Sequence, residues 1–273
     1  MTGARAGRAA SYAAIARNEI QASLAYRGHF LFSLAGTVIY LVIARFLWKA
    51  VYAGSGAGAI GGVGFERAYL YVGVSMSISA IIQTFVDWSL NRMVTSGDIF
   101  RFLCRPQNFM GQLFAESAGD GFVNLAAVGL PALVLSFALS GAGLPGILNV
   151  LLFIPAVAIA FFLNFLIDFV TGLSVFALNS SRGVINAKDA AILVLSGALV
   201  PLPFYPARVR AVLEWLPFQA LYNAPARILA DGGAGIAEAL PFLARQAAWT
   251  VLFFVLARAL FAAAQRKLTV NGG

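Results

Sequence analysis

The sequence predicts an all-α protein that crosses a membrane several times. Of its 273 residues, 60% are hydrophobic and only 11% are charged, whereas soluble domains average about 25% charged residues. Several apolar runs reach the roughly 20 residues that a membrane-spanning helix needs. The net charge is +8, but the sequence has no dense basic patch with interleaved aromatic residues. The charge therefore indicates how the protein is oriented in the membrane, and no nucleic-acid partner is expected.

The amino-terminal part of the chain is predicted to lie on the membrane surface before the first crossing. Residues 8–27 are rich in helix formers and place apolar side chains on one broad face, which is typical of an interfacial helix. The first apolar run is longer than the roughly 7–15 residues of a signal-peptide core, so no cleavage is expected. Six transmembrane helices are predicted in one domain, 1–273, and cover residues 29–52, 66–91, 116–140, 146–178, 187–200 and 241–263.

Polar residues form a line along each of two predicted spans. In the second span they recur every fourth residue from Ser75 to Asn91, and in the fourth span they include Asn164 and Asp168. Polar groups avoid lipid, so both lines should face protein or water. Helix packing explains them as well as a translocation path does, and the two carboxylates could also cap helices or pair with Arg92 or Arg182. The path candidates are Ser79, Gln83, Asp87, Asn164 and Asp168.

The segment 95–114 is unusually charged for its place between two apolar spans. Read as a helix, it carries Ile99, Phe102 and Leu103 on one side and most of its charge on the other, with Pro106 as its end. Connections between packed helices commonly have roughly 2–8 residues. The extra length predicts a docking element on the membrane surface, with a solvated linker as the simpler alternative.

The segment 201–230 is apolar but cannot form one continuous helix. It holds five of the ten prolines, and each internal proline removes a backbone hydrogen bond. Broken helices that enter the membrane and return satisfy both facts if protein covers their backbones. The segment is therefore predicted to be a re-entrant hairpin.

Six spans place both termini on one side, and that side carries the excess of Lys and Arg. The positive-inside rule then assigns both termini and the segment 95–114 to the cytosol. The re-entrant segment faces outward.

The supply of reactive side chains excludes several classes of function. The sequence contains one cysteine, Cys104, and one histidine, His29. This excludes an intrachain disulfide, a CxxC pair and a zinc cluster, and it leaves the hypothesis of an intramembrane enzyme without support. No catalytic or metal-binding residue is predicted. The glycine-rich stretch 54–64 joins two spans instead of a strand and a helix, so it is read as a flexible connection and not as a phosphate loop.

The layout and two sequence strings resemble the ABC type-2 permease family, in particular a bacterial branch of it. The strings are SGDIFRFLCRPQN, residues 96–108, and SGALVPLPFYPARVRAVLEWLPFQALYNAPARIL, residues 196–229. The resemblance implies a half-transporter driven by cytosolic ATPase subunits, with residues 97–106 as the coupling helix. The implied ATPase-coupling residues are Gly97, Asp98, Arg101, Phe102, Arg105 and Pro106. The implied outer re-entrant gate contains Pro201, Pro206, Pro217, Phe218 and Pro225.

The function expected from these observations is that of a permease subunit in an ATP-driven exporter of an amphipathic or lipid-like small molecule or drug. The expected partners are a dimer of cytosolic ABC ATPase subunits, a second identical or homologous permease, and lipids. The chain has no GxxxxGK[ST] motif, so it is expected to bind no cofactor, with ATP and Mg on the partner ATPase. The expected location is the bacterial cytoplasmic membrane.

Two other functions remain as alternatives. An ion- or proton-coupled secondary carrier would use Asp87 and Asp168 without ATP. Such a carrier predicts inverted repeats with matching broken helices, whereas proline-broken helix occurs only in the second half of this sequence. A membrane scaffold that transports nothing also remains open.

Overall fold

A computed structural model describes residues 2–56, 58–105, 107–178, 180–231 and 235–271, and their structure is almost entirely helical. The first half contains α1 (Thr2–Ala25), α2 (Arg27–Ser55), a hairpin of β1 (Ala59–Ile60) and β2 (Val63–Gly64), α3 (Phe65–Ile82), α4 (Val86–Thr95), α5 (Ile99–Leu103) and α6 (Phe109–Asn124). The second half contains α7 (Leu130–Ser140), α8 (Ile147–Gly172), α9 (Val175–Leu178), α10 (Arg182–Leu195), α11 (Ala207–Leu213), α12 (Asn223–Ala230) and α13 (Ile236–Asn271). A π-helical turn, Leu125–Gly129, joins α6 to α7, and 3-10 turns occur at Leu202–Phe204 and Pro217–Ala220.

Within the described residues, five helical stretches are long and apolar enough to cross a membrane. They are Gly28–Ser55, Phe65–Thr95, Phe109–Ser140, Ile147–Leu178 and Ile236–Arg266. They coincide with five of the predicted spans and confirm the all-α polytopic class. The remaining predicted span, 187–200, overlaps α10, whose 14 residues extend only about 21 Å. That is shorter than the roughly 30 Å hydrocarbon core of a bilayer, so the count of six crossings stays a prediction.

The second span is not the continuous helix predicted over 66–91, because it breaks between Ile82 and Val86. Gln83, the residue after α3, has an extended backbone. Phe85, the residue before α4, has a φ of 49°, which is rare for a residue other than glycine. No proline or glycine marks this break, and the second span consists of two helices, α3 and α4.

Two glycines set how closely the second span packs against its neighbours. A Cβ atom on Gly73 would lie 2.4 Å from the Ser136 hydroxyl of α7. A Cβ atom on Gly172 would lie 2.9 Å from the Cα atom of Asp87. Contacts this short leave no room for any side chain, so α3 is held against α7 and α8 against α4.

The amino-terminal helix α1 packs along α6. A Cβ atom on Gly119 would lie 2.5 Å from the carbonyl oxygen of Ala16, and the Ser23 hydroxyl donates to Asp120 at 2.9 Å. The residues predicted to form an interfacial helix, 8–27, thus fall on a helix that rests on the first half of the third span. Its position at the membrane surface stays a prediction.

The proline-rich segment forms short helical pieces buried against α3, α8 and α13. Gln246 of α13 donates from its Nε2 atom to the carbonyl oxygens of Ala156 and Ala220, at 3.1 and 2.7 Å. The Tyr71 hydroxyl donates to Asn223 at 3.1 Å. Protein thus covers the broken backbone, as a re-entrant segment requires, while the depth of 201–230 in the membrane stays a prediction.

The segment 95–114 is not one helix. It contains the end of α4, the five-residue α5 and the start of α6. Gly97, at a φ of 80°, stops α4 because a left-handed residue cannot continue a right-handed helix. The Asn108 side chain accepts a hydrogen bond from the Gly111 amide and so caps the start of α6. Pro106, predicted to end the coupling helix, lies outside the described residues.

Candidate functional site

A cavity of about 360 Å³ lies beside the break in the second span. Its lining comes from α2, α3, α4, α8, α10 and the loop after α10, together with Tyr222. All five predicted path residues line it: Ser79, Gln83, Asp87, Asn164 and Asp168. The two polar lines therefore face one another across a shared space, and their role in transport stays a prediction.

An ionic cluster closes one side of this cavity. The Lys188 ammonium nitrogen lies 2.7 Å from Asp87 and 2.6 Å from Asp168, and 2.9 Å from the half-exposed Asp189. The side chains of Asp87 and Asp168 are only 1% and 4% exposed, and that of Lys188 is 11% exposed. Lys188 is thus the ion-pair partner of both carboxylates, in place of the Arg92 or Arg182 considered from the sequence.

The helix break supplies the remaining hydrogen bonds to the two carboxylates. The Thr84 hydroxyl donates to Asp168 at 2.6 Å, and the Trp88 amide donates to Asp87 at 2.8 Å. Asn164 donates from Nδ2 to the Ile82 carbonyl at 2.9 Å and contacts Asp168 at 3.2 Å. Two backbone groups at the break, the Ile82 carbonyl and the Trp88 amide, are therefore bonded. Each oxygen of the two carboxylates has a partner, as buried polar groups require.

Most of the other cavity walls are apolar or aromatic. They include Tyr40, Met76, Phe85, Trp88, Ile192 and Leu199. Phe85 is 54% exposed and Trp88 is 38% exposed. A small cavity with apolar walls and a few fixed polar groups is the usual form of a small-molecule site, and this one suits a molecule with one polar and one apolar end.

Sequence reasoning missed Lys188 and Tyr222. In the sequence, Lys188 is one of the basic residues on the side with the Lys and Arg excess, and Tyr222 is one residue of the proline-rich segment; neither pattern marks a site residue. The one available signal was a lysine at the start of an apolar helix in a chain with two intramembrane carboxylates. That signal does not specify which groups pair.

Among the described residues of the predicted ATPase-coupling set, Gly97, Asp98, Arg101 and Arg105 are exposed and Phe102 is half-buried. None of these five lines the cavity. Asp98 and Arg101 form an exposed pair at 3.7 Å, with the Arg101 side chain 83% exposed. The Arg105 guanidinium lies 4.8 Å from the centre of the Phe102 ring. Ile99 is buried at 1% exposure and anchors α5 in the core formed with α4, α6 and α8.

The predicted gate residues begin the short helices of the proline-rich segment. Pro217 starts a 3-10 turn and Pro225 lies in the first turn of α12, where a missing amide costs little. Pro201, Pro217 and Pro225 are buried, whereas Pro206 is exposed and Phe218 is half-buried. None of these five residues lines the cavity, which the segment reaches through Tyr222.

The helices and the internal charged cavity define a multi-pass membrane protein. Residues 34–272 match the family model described as "ABC-2 family transporter protein". The chain belongs to the ABC-2 transporter family and is a permease of an ABC transporter. No curated protein matches the chain.

Proposed function

We propose that this chain is the permease subunit of an ATP-driven exporter, which carries an amphipathic or lipid-like small molecule or drug. The observation that supports the cargo class is the cavity at the helix break, with its ionic cluster on one side and aromatic walls on the others. Membership of the ABC-2 family supports the ATP-driven mechanism. The chain itself acts as a transport subunit and not as an enzyme.

The energy comes from a dimer of cytosolic ABC ATPase subunits, which bind ATP and Mg. The docking surface is 97–105, where Asp98 and Arg101 are exposed while Ile99 is fixed in the core. One helix connects this surface to the cavity. The last residue of α4, Thr95, is next to the docking surface, and the first turn of α4 carries Asp87, which lines the cavity. A displacement of α5 thus moves α4 and with it one carboxylate of the ionic cluster.

The complete transporter contains a second permease, identical or homologous, in the bacterial cytoplasmic membrane. Both termini lie in the cytosol, and the proline-rich segment forms the outer gate. The burial of Pro217 and Pro225, together with the packing of α12 against α3 and α8, supports a role for this segment in closing the path.

The coupling role is tested by replacing the two exposed arginines with acidic residues. In Arg101→Glu/Arg105→Glu we expect the chain to insert and fold, since both sites lie on the surface, while the rate of ATP hydrolysis falls to that of the ATPase subunits alone. The measurement is ATPase activity and transport in vesicles that contain the co-expressed complex. The control, Arg67→Glu, changes an exposed arginine at the opposite end of the second crossing and should leave both activities intact. Wild-type stimulation in the first variant contradicts the coupling role.

A secondary carrier is the second candidate, and the buried ionic cluster is the observation that favours it. Intramembrane carboxylates beside a lysine are common parts of proton and ion pathways. Transport that continues with a hydrolysis-deficient ATPase and stops when the proton gradient is dissipated would select the carrier. The opposite pattern would select the ATP-driven exporter.

A further inference from the structure

The charges at the cavity do not balance. In the described part of the chain, two almost fully buried carboxylates, Asp87 and Asp168, face one ammonium group, that of Lys188. The third carboxylate within reach, Asp189, is half exposed to solvent and so is screened by water. The buried trio therefore carries one more negative than positive charge, and an unbalanced charge away from water is costly.

A second observation shows that the cavity has an unused polar group. Ser75 is 1% exposed and lines the cavity; its proton is within reach of the Tyr71 oxygen, but among the described residues no group donates a hydrogen bond to its own oxygen. The neighbouring Tyr71 hydroxyl donates to Asn223 instead. Buried polar atoms normally have a partner, so the Ser75 oxygen is available to a molecule in the cavity.

The aromatic residues in the cavity lining match a cation with an apolar body. Phe85 and Trp88 present aromatic rings at the cavity, and ring faces attract organic cations. The ammonium group of Lys188 is already occupied by carboxylates at hydrogen-bond distance, so an anionic ligand finds no free cationic donor in the trio.

We infer that the cavity beside the helix break binds a monovalent organic cation with an apolar body, with its charge balancing Asp87 and Asp168. The inference rests on the proposed transport function and narrows its cargo class. It predicts selection by the sign of charge, since an anion of the same size and shape meets the excess carboxylate.

Tetraphenylphosphonium and tetraphenylborate are suitable probes because they are matched in shape and opposite in charge. We expect the purified full-length chain in detergent to bind the phosphonium saturably in isothermal titration calorimetry and to bind the borate at least about tenfold more weakly. Equal affinity for the two ions would overturn the inference.

Variants that change the charge of the trio sharpen the test. Asp168→Asn makes the trio neutral and should weaken phosphonium binding at least about tenfold, whereas Asp87→Asn/Lys188→Gln keeps the excess of one carboxylate and should bind as the wild type does. Lys188→Gln leaves two unpaired carboxylates and should bind more tightly. The control Asp231→Asn breaks an exposed ion pair elsewhere and should bind normally.

Melting temperatures measured with and without the phosphonium also report binding in variants that fold poorly, because a ligand stabilises the folded state that it binds. The largest rise in melting temperature is expected for Lys188→Gln. A wild-type affinity in Asp168→Asn, or no rise in Lys188→Gln, would overturn the inference.

The outcome is separable from that of the proposed function. If the phosphonium does not bind while the Arg101→Glu/Arg105→Glu variant still loses ATPase stimulation, the inference that the cavity binds an organic cation is wrong and the proposed export function is retained. If the phosphonium binds but no ATPase subunit associates with the chain, the cation inference is retained and the proposed energy source is wrong.

Discussion

The charged residues of this protein occupy two contrasting environments. At the helix break, Lys188 bridges two almost fully buried carboxylates at 2.6 and 2.7 Å. On the surface segment, Arg101 meets Asp98 at 3.7 Å with both side chains more than half exposed. Exposed pairs contribute little to stability, whereas removing one partner of a buried pair is strongly destabilising. The comparison predicts that removing one partner costs much more stability at the helix break than on the surface segment.

The largest effect should come from removing the shared cation at the break. Lys188→Ala leaves Asp87 and Asp168 buried and unpaired, and we expect a loss of about 3–5 kcal/mol of unfolding free energy. The matched change on the surface, Arg101→Ala, should cost about 0–1 kcal/mol. Denaturant unfolding of both variants in the same detergent measures the difference, and similar losses would remove the contrast between the two regions.

An intermediate loss of stability is expected where α8 packs against Asp87 of the ionic cluster. Gly172→Ala places a Cβ atom 2.9 Å from the backbone of Asp87 and 2.8 Å from Leu90, and backbone cannot move aside cheaply. We expect a loss of about 1–3 kcal/mol. Gly36→Ala is the control, because a Cβ atom there meets nothing within 4 Å and alanine favours helix. If both alanines are tolerated alike, the close approach of α8 to α4 is not required.

The smallest effect should come from a third place, where α1 meets α6. Burial and, to a lesser extent, the nearby Asp120 carboxylate raise the pKa of Glu19. An acid whose pKa is raised by folding holds its proton more strongly in the folded state, so stability falls as pH rises above the ordinary glutamate range. Glu19→Gln should flatten that decline and slightly raise the melting temperature at pH 8.

Melting curves of the wild type and Glu19→Gln from pH 4 to pH 8 measure this effect. The charge of Glu19 would have no influence on the contact between α1 and α6 if the two curves stayed parallel over that range.

The fold class could be read from the sequence because hydropathy and length determine where a helix can cross a membrane. Five crossings followed from these two properties alone. The end of α10 at Leu195 could not be predicted in this way, because the apolar run of the sequence continues past Leu195 into residues that are not helical. The surface segment was predicted as one helix, since the left-handed turn at Gly97 cannot be distinguished from an ordinary helical glycine by composition.

The candidate site was only half predictable, for a physical reason. The polar lines of the second and fourth spans indicated which residues avoid lipid, and these residues do share a cavity. The pairing with Lys188 depends on contacts 101 and 20 residues apart, which no local pattern encodes. The break before Val86 contains no proline or glycine, and the Ile82 carbonyl released there is bound by Asn164 of a distant helix.

The contact between Gly73 and Ser136 determines which part of the second crossing can move. With the place of a Cβ atom only 2.4 Å from the Ser136 hydroxyl, the two backbones are interlocked and α3 cannot turn without carrying α7 along. The two helices therefore form one rigid pair, and the break between Ile82 and Val86 separates this pair from α4.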